Sequence, residues 1–166
     1  MYDWNVFVTS VTEILPGIYL GNQHSSEDQV VLDKVNVIIN CTKHIKFSSA
    51  SGQHFCVRIP LNDPGSQNLH HTQYDQQIML RALPRVLKIL SYCHERHIKV
   101  LIHCHAGAQR SAAVVLAWLM LNTPGSNNQT KFNYWVDYLV KKRPAAFYGG
   151  RSINFKAAIE HHFNLD

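Results

Sequence analysis

Lys99-Val100-Leu101-Ile102-His103-Cys104-His105-Ala106-Gly107-Ala108-Gln109-Arg110-Ser111-Ala112-Ala113-Val114 is the stretch on which the reading of this chain turns. Its first four residues have the apolar character of a buried strand, and the run from Ala112 to Leu121 reads as a helix. Between the two lie a cysteine and an arginine six positions apart, with Gly107 inside the interval and Ser111 directly after it. A strand that turns tightly into a helix N-terminus presents converging backbone N–H groups and the positive end of a dipole, which suits a phosphate dianion. The same field favours a thiolate over a thiol at Cys104 and makes it a nucleophile near neutral pH. Arg110 adds a planar fork able to hold two phosphate oxygens at once. Together these residues predict a site for covalent phosphate chemistry.

Each residue of the stretch then takes a role. Cys104 is the candidate nucleophile, and Arg110 is expected to orient the phosphoryl group and offset charge on its equatorial oxygens. His105, Ala106, Gly107, Ala108, Gln109 and Arg110 form the candidate phosphate-binding loop, with Gly107 supplying a shape or close approach that a side chain forbids. Ser111 is placed to donate a hydrogen bond to the departing thiolate, a role compatible with capping the helix. His103 is expected to orient the loop through hydrogen bonds beneath Cys104.

Turnover also requires an acid for the leaving oxygen and a base for water. Asp63 is the candidate for both, in the polar segment Asn62-Asp63-Pro64-Gly65 after a strand, where a mobile arm can swing over the site. The same four residues are strong turn formers in their own right. Asp75, in a Gln-rich helical stretch, is the rival. The alternation His103-Cys104-His105 raises a metal reading, but zinc sites draw their ligands from two separated pairs and the sequence has no second knuckle. No metal and no cofactor are therefore expected. No Gly-Lys-Ser/Thr follows, so the loop is not of the Walker type.

Outward from the loop, the alternation of elements sets the fold class. Ile14-Leu15 and Ile18-Tyr19-Leu20 read as short strands around Pro16-Gly17, and Ser25 or Ser26 as the cap of a short helix through Leu32. Val35–Cys41 reads as a central strand buried on both faces, and His54–Ile59 as another. Met79, Leu83, Val86, Leu87, Leu90 and Cys93 share a helical face that Pro84 either kinks or divides. Phe132, Trp135, Val136, Leu139 and Val140 mark a helix ended by Arg143-Pro144, with Lys141-Lys142-Arg143 read as cations at its C-terminus. Ser152 is expected to cap the last helix. The prediction is an α/β fold: a central, mostly parallel twisted sheet of about four to five strands flanked by helices.

Composition sets the outer bounds. The 166 residues are expected to form one domain with an N-terminal arm over residues 1–10, and 46% hydrophobic against 16% charged residues describe a globular chain. The net charge of +5 fits an anionic ligand, yet Lys and Arg are scattered. Cys41, Cys56 and Cys93 lie in apolar stretches where a free thiol packs as a small hydrophobe. Met1–Ser10 lacks the pattern of a secretory leader, and no apolar run approaches the ~20 residues of a membrane span. A reducing compartment, cytoplasmic or nuclear, is the expectation.

The stretch resembles the His-Cys-(five residues)-Arg-Ser/Thr signature of cysteine-dependent protein tyrosine phosphatases, and more narrowly the dual-specificity branch, where Ala-Gly commonly fills the loop's middle. The similarity extends to Ile14–Gly21, to Val37-Ile38-Ile39-Asn40-Cys41-Thr42, to Leu61-Asn62-Asp63 with Asn68-Leu69, and to Arg143-Pro144 with Ile153-Asn154-Phe155. The resemblance implies a protein tyrosine phosphatase-like fold and a phosphocysteine intermediate on Cys104. It implies phosphate held by Arg110 and loop N–H groups, and Asp63 as acid then base. It further implies no metal and a pocket shallow enough for phosphotyrosine and phosphoserine/threonine in protein substrates. Relative to compact members, about ten residues are added between Asp63 and Cys104.

Two alternatives remain at this stage. An RNA 5′-triphosphatase on the same fold calls for a more basic rim, whereas the loop contributes only Arg110 as a permanent cation. A phosphate-reading module without turnover typically lacks one of Cys104, Arg110, Ser111 or the acid. A phosphoinositide phosphatase is expected to carry extra lysines in the loop, and this loop has none. The aromatic residues Tyr2, Trp4 and Phe7 are expected to dock on the chain's own core, with monomer and homodimer both open.

Overall fold

Val37–Asn40 and Val100–His103 are buried at every position, which makes them the centre of a sheet covered on both faces. The structure, a computed structural model, describes residues 9–48, 52–62 and 69–165. Asp63, Asn68 and the aromatic residues Tyr2, Trp4 and Phe7 lie outside them. The strands are β1 (Val11–Leu15), β2 (Ile18–Gly21), β3 (Val37–Asn40), β4 (Phe55–Arg58) and β5 (Val100–His103). Their order is β1-β2-β5-β3-β4; β1 runs antiparallel to β2, and β2, β5, β3 and β4 run parallel. The predicted α/β class and mostly parallel sheet are what the chain adopts.

The pleat divides the core in two. Val37 and Ile39 of β3 and Val100 and Ile102 of β5 face the larger side, under α2 (Leu69–Glu95), α3 (Arg110–Leu121) and α5 (Lys156–His162). Ile38 and Leu101 face the other side, with Val31 and Leu32 of α1 (Gln29–Lys34) and Val35. The remaining helix, α4 (Asn128–Lys142), packs on α3 and ties to β1 through the Tyr138 hydroxyl, which donates to the Ile14 carbonyl at 2.8 Å. No helix among the described residues is long and apolar enough to cross a membrane.

α3 is buried from Ser111 through Met120, so the helix that follows the candidate loop is also the centre of the core. Trp118 anchors it against α2, where its ring N–H donates to the Ser91 hydroxyl at 3.1 Å and the His94 ring meets it edge-on. Cutting buried Leu116 or Leu119 back to alanine here costs about 2–5 kcal/mol by cavity formation. The site therefore rests on a helix that is buried over nearly its whole length.

Several local expectations are corrected. α2 runs as one helix through Pro84, which sits at an exposed position, so of the two readings the division into separate segments is excluded. Ser25 and Ser26 form a 3₁₀ turn, and Asp28 caps α1 by accepting from the Val30 N–H at 2.9 Å. Ser152 does not cap the last helix, which starts after Phe155; its hydroxyl bonds Asn154 instead. Cys56 is exposed on the edge strand β4, unlike Cys41 and Cys93, which are buried as expected.

Candidate functional site

The loop from Cys104 to Gln109 joins the C-terminal end of β5 to the N-terminus of α3, between the ends of β2 and β3. In parallel sheets this is where ligands bind, since the crossover helices begin there. The Cys104 sulfur is buried, 2% exposed, and lies 3.1 Å from the Ser111 hydroxyl. Ser111 is inside the first turn of α3 rather than its cap; Gln109 occupies the cap position and makes no side-chain capping bond. The first-turn N–H groups of α3 are thus left for an anion.

Burial pushes the Cys104 thiol up. The Ser111 hydroxyl and N–H, the Arg110 charge and the Ala108 N–H together outweigh it and hold the pKa below that of an ordinary thiol. Cys41, one residue beyond β3, shows the contrast: burial drives its pKa far up, and Cys104 adds to the rise. Its backbone N–H donates to the His103 carbonyl at 2.8 Å. Two buried thiols that act on each other electrostatically are thus set apart by their hydrogen bonds, which hold one pKa down and leave the other raised by burial.

Arg110 donates through Nη1 to the Leu61 carbonyl at 3.1 Å, while its buried Nε has no hydrogen-bond partner. A buried guanidinium N–H left unpaired is costly unless a ligand oxygen takes it. Leu61 is fully buried at the root of the segment that carries Asp63. The rival carboxylate, Asp75, is buried and accepts the Asn62 N–H at 3.2 Å, so it anchors that segment's root. Leu61 and Asn62, the last described residues before Asp63, are held by Arg110 and Asp75 respectively.

His103 is fully buried, and its ring nitrogens lack a well-formed hydrogen bond, although the Cys104 backbone lies close enough to act on the ring. Burial pushes its pKa down to about 4, with a raising contribution from the Cys104 backbone and lowering ones from Arg58 and Arg110. A neutral ring is what burial next to two cations favours. His105 is exposed; its Nδ1 lies 3.2 Å from Gln23 Oε1, and its carbonyl accepts from the Gln23 N–H at 3.0 Å.

Gly107 has φ +63°, and a Cβ there would meet the Gly21 carbonyl oxygen at 2.6 Å and Arg143 Nη2 at 2.7 Å. Both expectations for it, the backbone shape and the close approach, hold. Gln109 is buried; its amide donates to the Ser152 carbonyl at 2.8 Å and accepts from the Asn154 N–H at 3.0 Å. It ties the loop to the segment before α5.

Sequence reasoning missed Arg143. Its place at the end of a helix suggests a cation complementing the helix dipole, yet it is 1% exposed and bonds the loop from behind. Position at a helix end gave no sign of burial, because a terminal arginine and an inward-turned one have the same sequence context.

Together, a buried thiol with a lowered pKa at the floor of a backbone cradle, an arginine with an unpaired N–H and a helix N-terminus form a candidate anion site on an α/β sheet. Comparison with known proteins agrees. The dual specificity phosphatase catalytic domain matches residues 18–161. The chain is 29% identical over 159 residues to dual specificity protein phosphatase OPG106 of vaccinia virus, covering 95% of this chain and 85% of that protein. It is 32% identical over 111 residues to human dual specificity protein phosphatase 9, covering 65% of this chain and 26% of that protein, so it spans about a quarter of the human relative. Among solved structures, human DUSP28 superposes with TM-score 0.69 at 19% identity, covering 94% of both chains. OH1 of Orf virus, a tyrosine phosphatase, superposes with TM-score 0.70 at 21% identity, covering 96% and 90%. The chain belongs to the dual specificity phosphatase family.

Proposed function

We propose that this chain hydrolyses phosphotyrosine and phosphoserine/threonine in proteins, without a metal, through a phosphocysteine intermediate. The Cys104 thiolate attacks phosphorus as the P–O bond to the side chain breaks, and Asp63 gives its proton to the leaving oxygen. Asp63, now a carboxylate, takes a proton from water as that water attacks the phosphocysteine. The P–S bond breaks, inorganic phosphate leaves, and the Ser111 hydroxyl stabilises the returning thiolate. Arg110 and the loop N–H groups hold the equatorial oxygens in both steps.

The observation that carries this reading is the Cys104–Ser111 pair: a buried sulfur 3.1 Å from a hydroxyl, with its pKa lowered against the pull of burial. A structural cysteine has no use for that arrangement. The test is hydrolysis, with EDTA present, of a phosphotyrosine peptide, a phosphothreonine peptide and a 5′-triphosphorylated RNA. Peptide turnover abolished in Cys104→Ser and slowed in Asp63→Ala is the expected result. Turnover of RNA alone would move the function to RNA processing, and binding without turnover would make the chain a phosphate-reading module.

A further inference from the structure

Four consecutive carbonyls of the loop are held from behind. His105 O accepts from the Gln23 N–H at 3.0 Å, Ala106 O from Arg143 Nη2 at 3.2 Å, Gly107 O from Arg143 Nε at 2.8 Å, and Ala108 O from the Phe147 N–H at 2.8 Å. In a trans peptide the N–H points opposite to the C=O of the same plane. Holding those carbonyls back therefore turns the N–H groups of Ala106, Gly107, Ala108 and Gln109 forward, toward the anion. The Ala108 N–H belongs to the peptide whose carbonyl Arg143 Nε holds, and it is one of the groups that stabilise the Cys104 thiolate.

Two of the four anchors come from one side chain, and that side chain is charged. Arg143 is buried, and among the described residues no carboxylate pairs with it. Its Nη1 donates instead to the Thr9 carbonyl at 2.8 Å and the Thr12 hydroxyl at 3.1 Å. A buried guanidinium without an acid needs a counter-charge. Burial pushes its pKa down, and the charge that pushes it back up is that of Cys104. The turn that follows reinforces the arrangement. Phe147–Gly150 is a single left-handed turn with φ of 53, 50, 74 and 85° at its four residues, two of them not glycine. Such backbone costs about 1–2 kcal/mol per non-glycine residue, and here it presents the Phe147 N–H to Ala108.

We infer that Arg143 is a positioning residue for the phosphatase reaction: it aims the Gly107 and Ala108 N–H groups at the phosphate and supplies, through the loop, the positive charge that thiolate and phosphate require. The inference rests on the phosphatase reading of the same site. It makes the segment from Arg143 to Phe147 the back wall of the cradle, with no atom of it touching substrate. The charged and titratable groups facing Cys104 are then Cys41 beyond β3, Arg110 on α3, Arg143 after α4 and His103 beneath.

The experiment compares the unmodified chain with Arg143→Lys, Arg143→Met and Thr12→Val. Three quantities are read: carboxymethylation of Cys104 against pH by peptide mass, orthovanadate affinity, and melting by circular dichroism. Lysine keeps the charge but cannot hold two carbonyls at once. In both folded Arg143 variants the alkylation profile moves toward that of an ordinary thiol, and at pH 6 the rate falls about tenfold, as loss of a charge-assisted hydrogen bond implies. Vanadate affinity falls by a similar factor, more in Met than in Lys. A variant that melts lower but keeps the parent's profile and vanadate affinity overturns the inference, because a purely structural arginine moves the melting alone. Should both Arg143 variants fail to fold, Thr12→Val decides. It removes one outer anchor of Nη1 and should slow alkylation about twofold at pH 6, whereas an unchanged rate overturns the inference. A parent chain that neither binds vanadate nor alkylates below the ordinary thiol range fails the phosphatase reading itself, a different outcome from a normal parent with unaffected variants.

Discussion

Replacing Gly107 by alanine tests the geometry of the cradle with a single methyl group. The new Cβ would lie 2.6 Å from the Gly21 carbonyl oxygen and 2.7 Å from both the Gly21 carbonyl carbon and Arg143 Nη2. Two of those three atoms are backbone of a buried strand and cannot give way cheaply. The residue would also keep φ near +63°, which costs an L-residue about 1–2 kcal/mol. Overpacking adds about 1–3 kcal/mol. Together these predict a loss of about 3 kcal/mol, or a melting temperature lower by about 9 °C for a chain of this size. Relief of the contact to an ordinary 3.4 Å must push the loop away from β2 by roughly 0.8 Å, and a misplacement of about 1 Å at a reacting centre costs about a hundredfold in rate. The assay is kcat/KM on a phosphotyrosine peptide below the melting transition, with vanadate affinity measured alongside. A Gly107→Ala chain that melts within about 2 °C of the parent and keeps its activity within threefold would refute the reasoning.

The other expectations concern the same site. Ser111→Ala should slow Cys104 alkylation at pH 6 by roughly tenfold, because a hydrogen bond to a charged group is lost; quench-flow should then show the phosphoenzyme accumulating, and a burst no larger than the parent's would count against the leaving-group role. Asp63→Ala should lower kcat by roughly a hundredfold and remove the alkaline limb of the pH profile, while Asp75→Asn should act mainly on melting; the reverse pattern would exchange the two assignments. His103 is neutral in the folded chain, with a pKa of about 4 against 6.5 when exposed, so the unfolded chain binds the extra proton and stability is lost as pH falls from about 6.5 through 4. The loss is about 3 kcal/mol at pH 4 relative to pH 7. Urea titrations of the parent and His103→Gln should show it as a pH-dependent difference, and parallel acid losses in both chains would exclude it.

The strand–loop–helix around Cys104 was legible because its signal is local: an apolar run, a glycine and fixed spacing between nucleophile and cation. The parallel sheet was legible because β3 and β5 read as near-continuous apolar runs in the sequence, and each is buried along its whole length. What escaped depended on distant partners. Arg143 lies 36 residues from the carbonyl it holds, and nothing in Lys141-Lys142-Arg143-Pro144 separates the buried arginine from its exposed neighbours. Whether Pro84 kinks or divides its helix stayed open because the sequence does not say which side of the helix it occupies. Ser152 and Ser25 looked like caps by residue type, but Gln109 and Asn22 claimed their surroundings first. His103 reads as a hydrogen-bonding residue by its type, and nothing in the local sequence says that burial leaves its ring neutral and without a well-formed partner.

The cradle that faces the phosphate is lined with peptide N–H groups, which every amino acid except proline carries. An inhibitor that merely imitates phosphate therefore finds a grip shared by any chain that turns in this way, and selectivity among such proteins cannot be sought there. A discriminating compound would have to reach past the anion hole to features particular to this chain, such as the exposed His105 and its contact Gln23 on the rim.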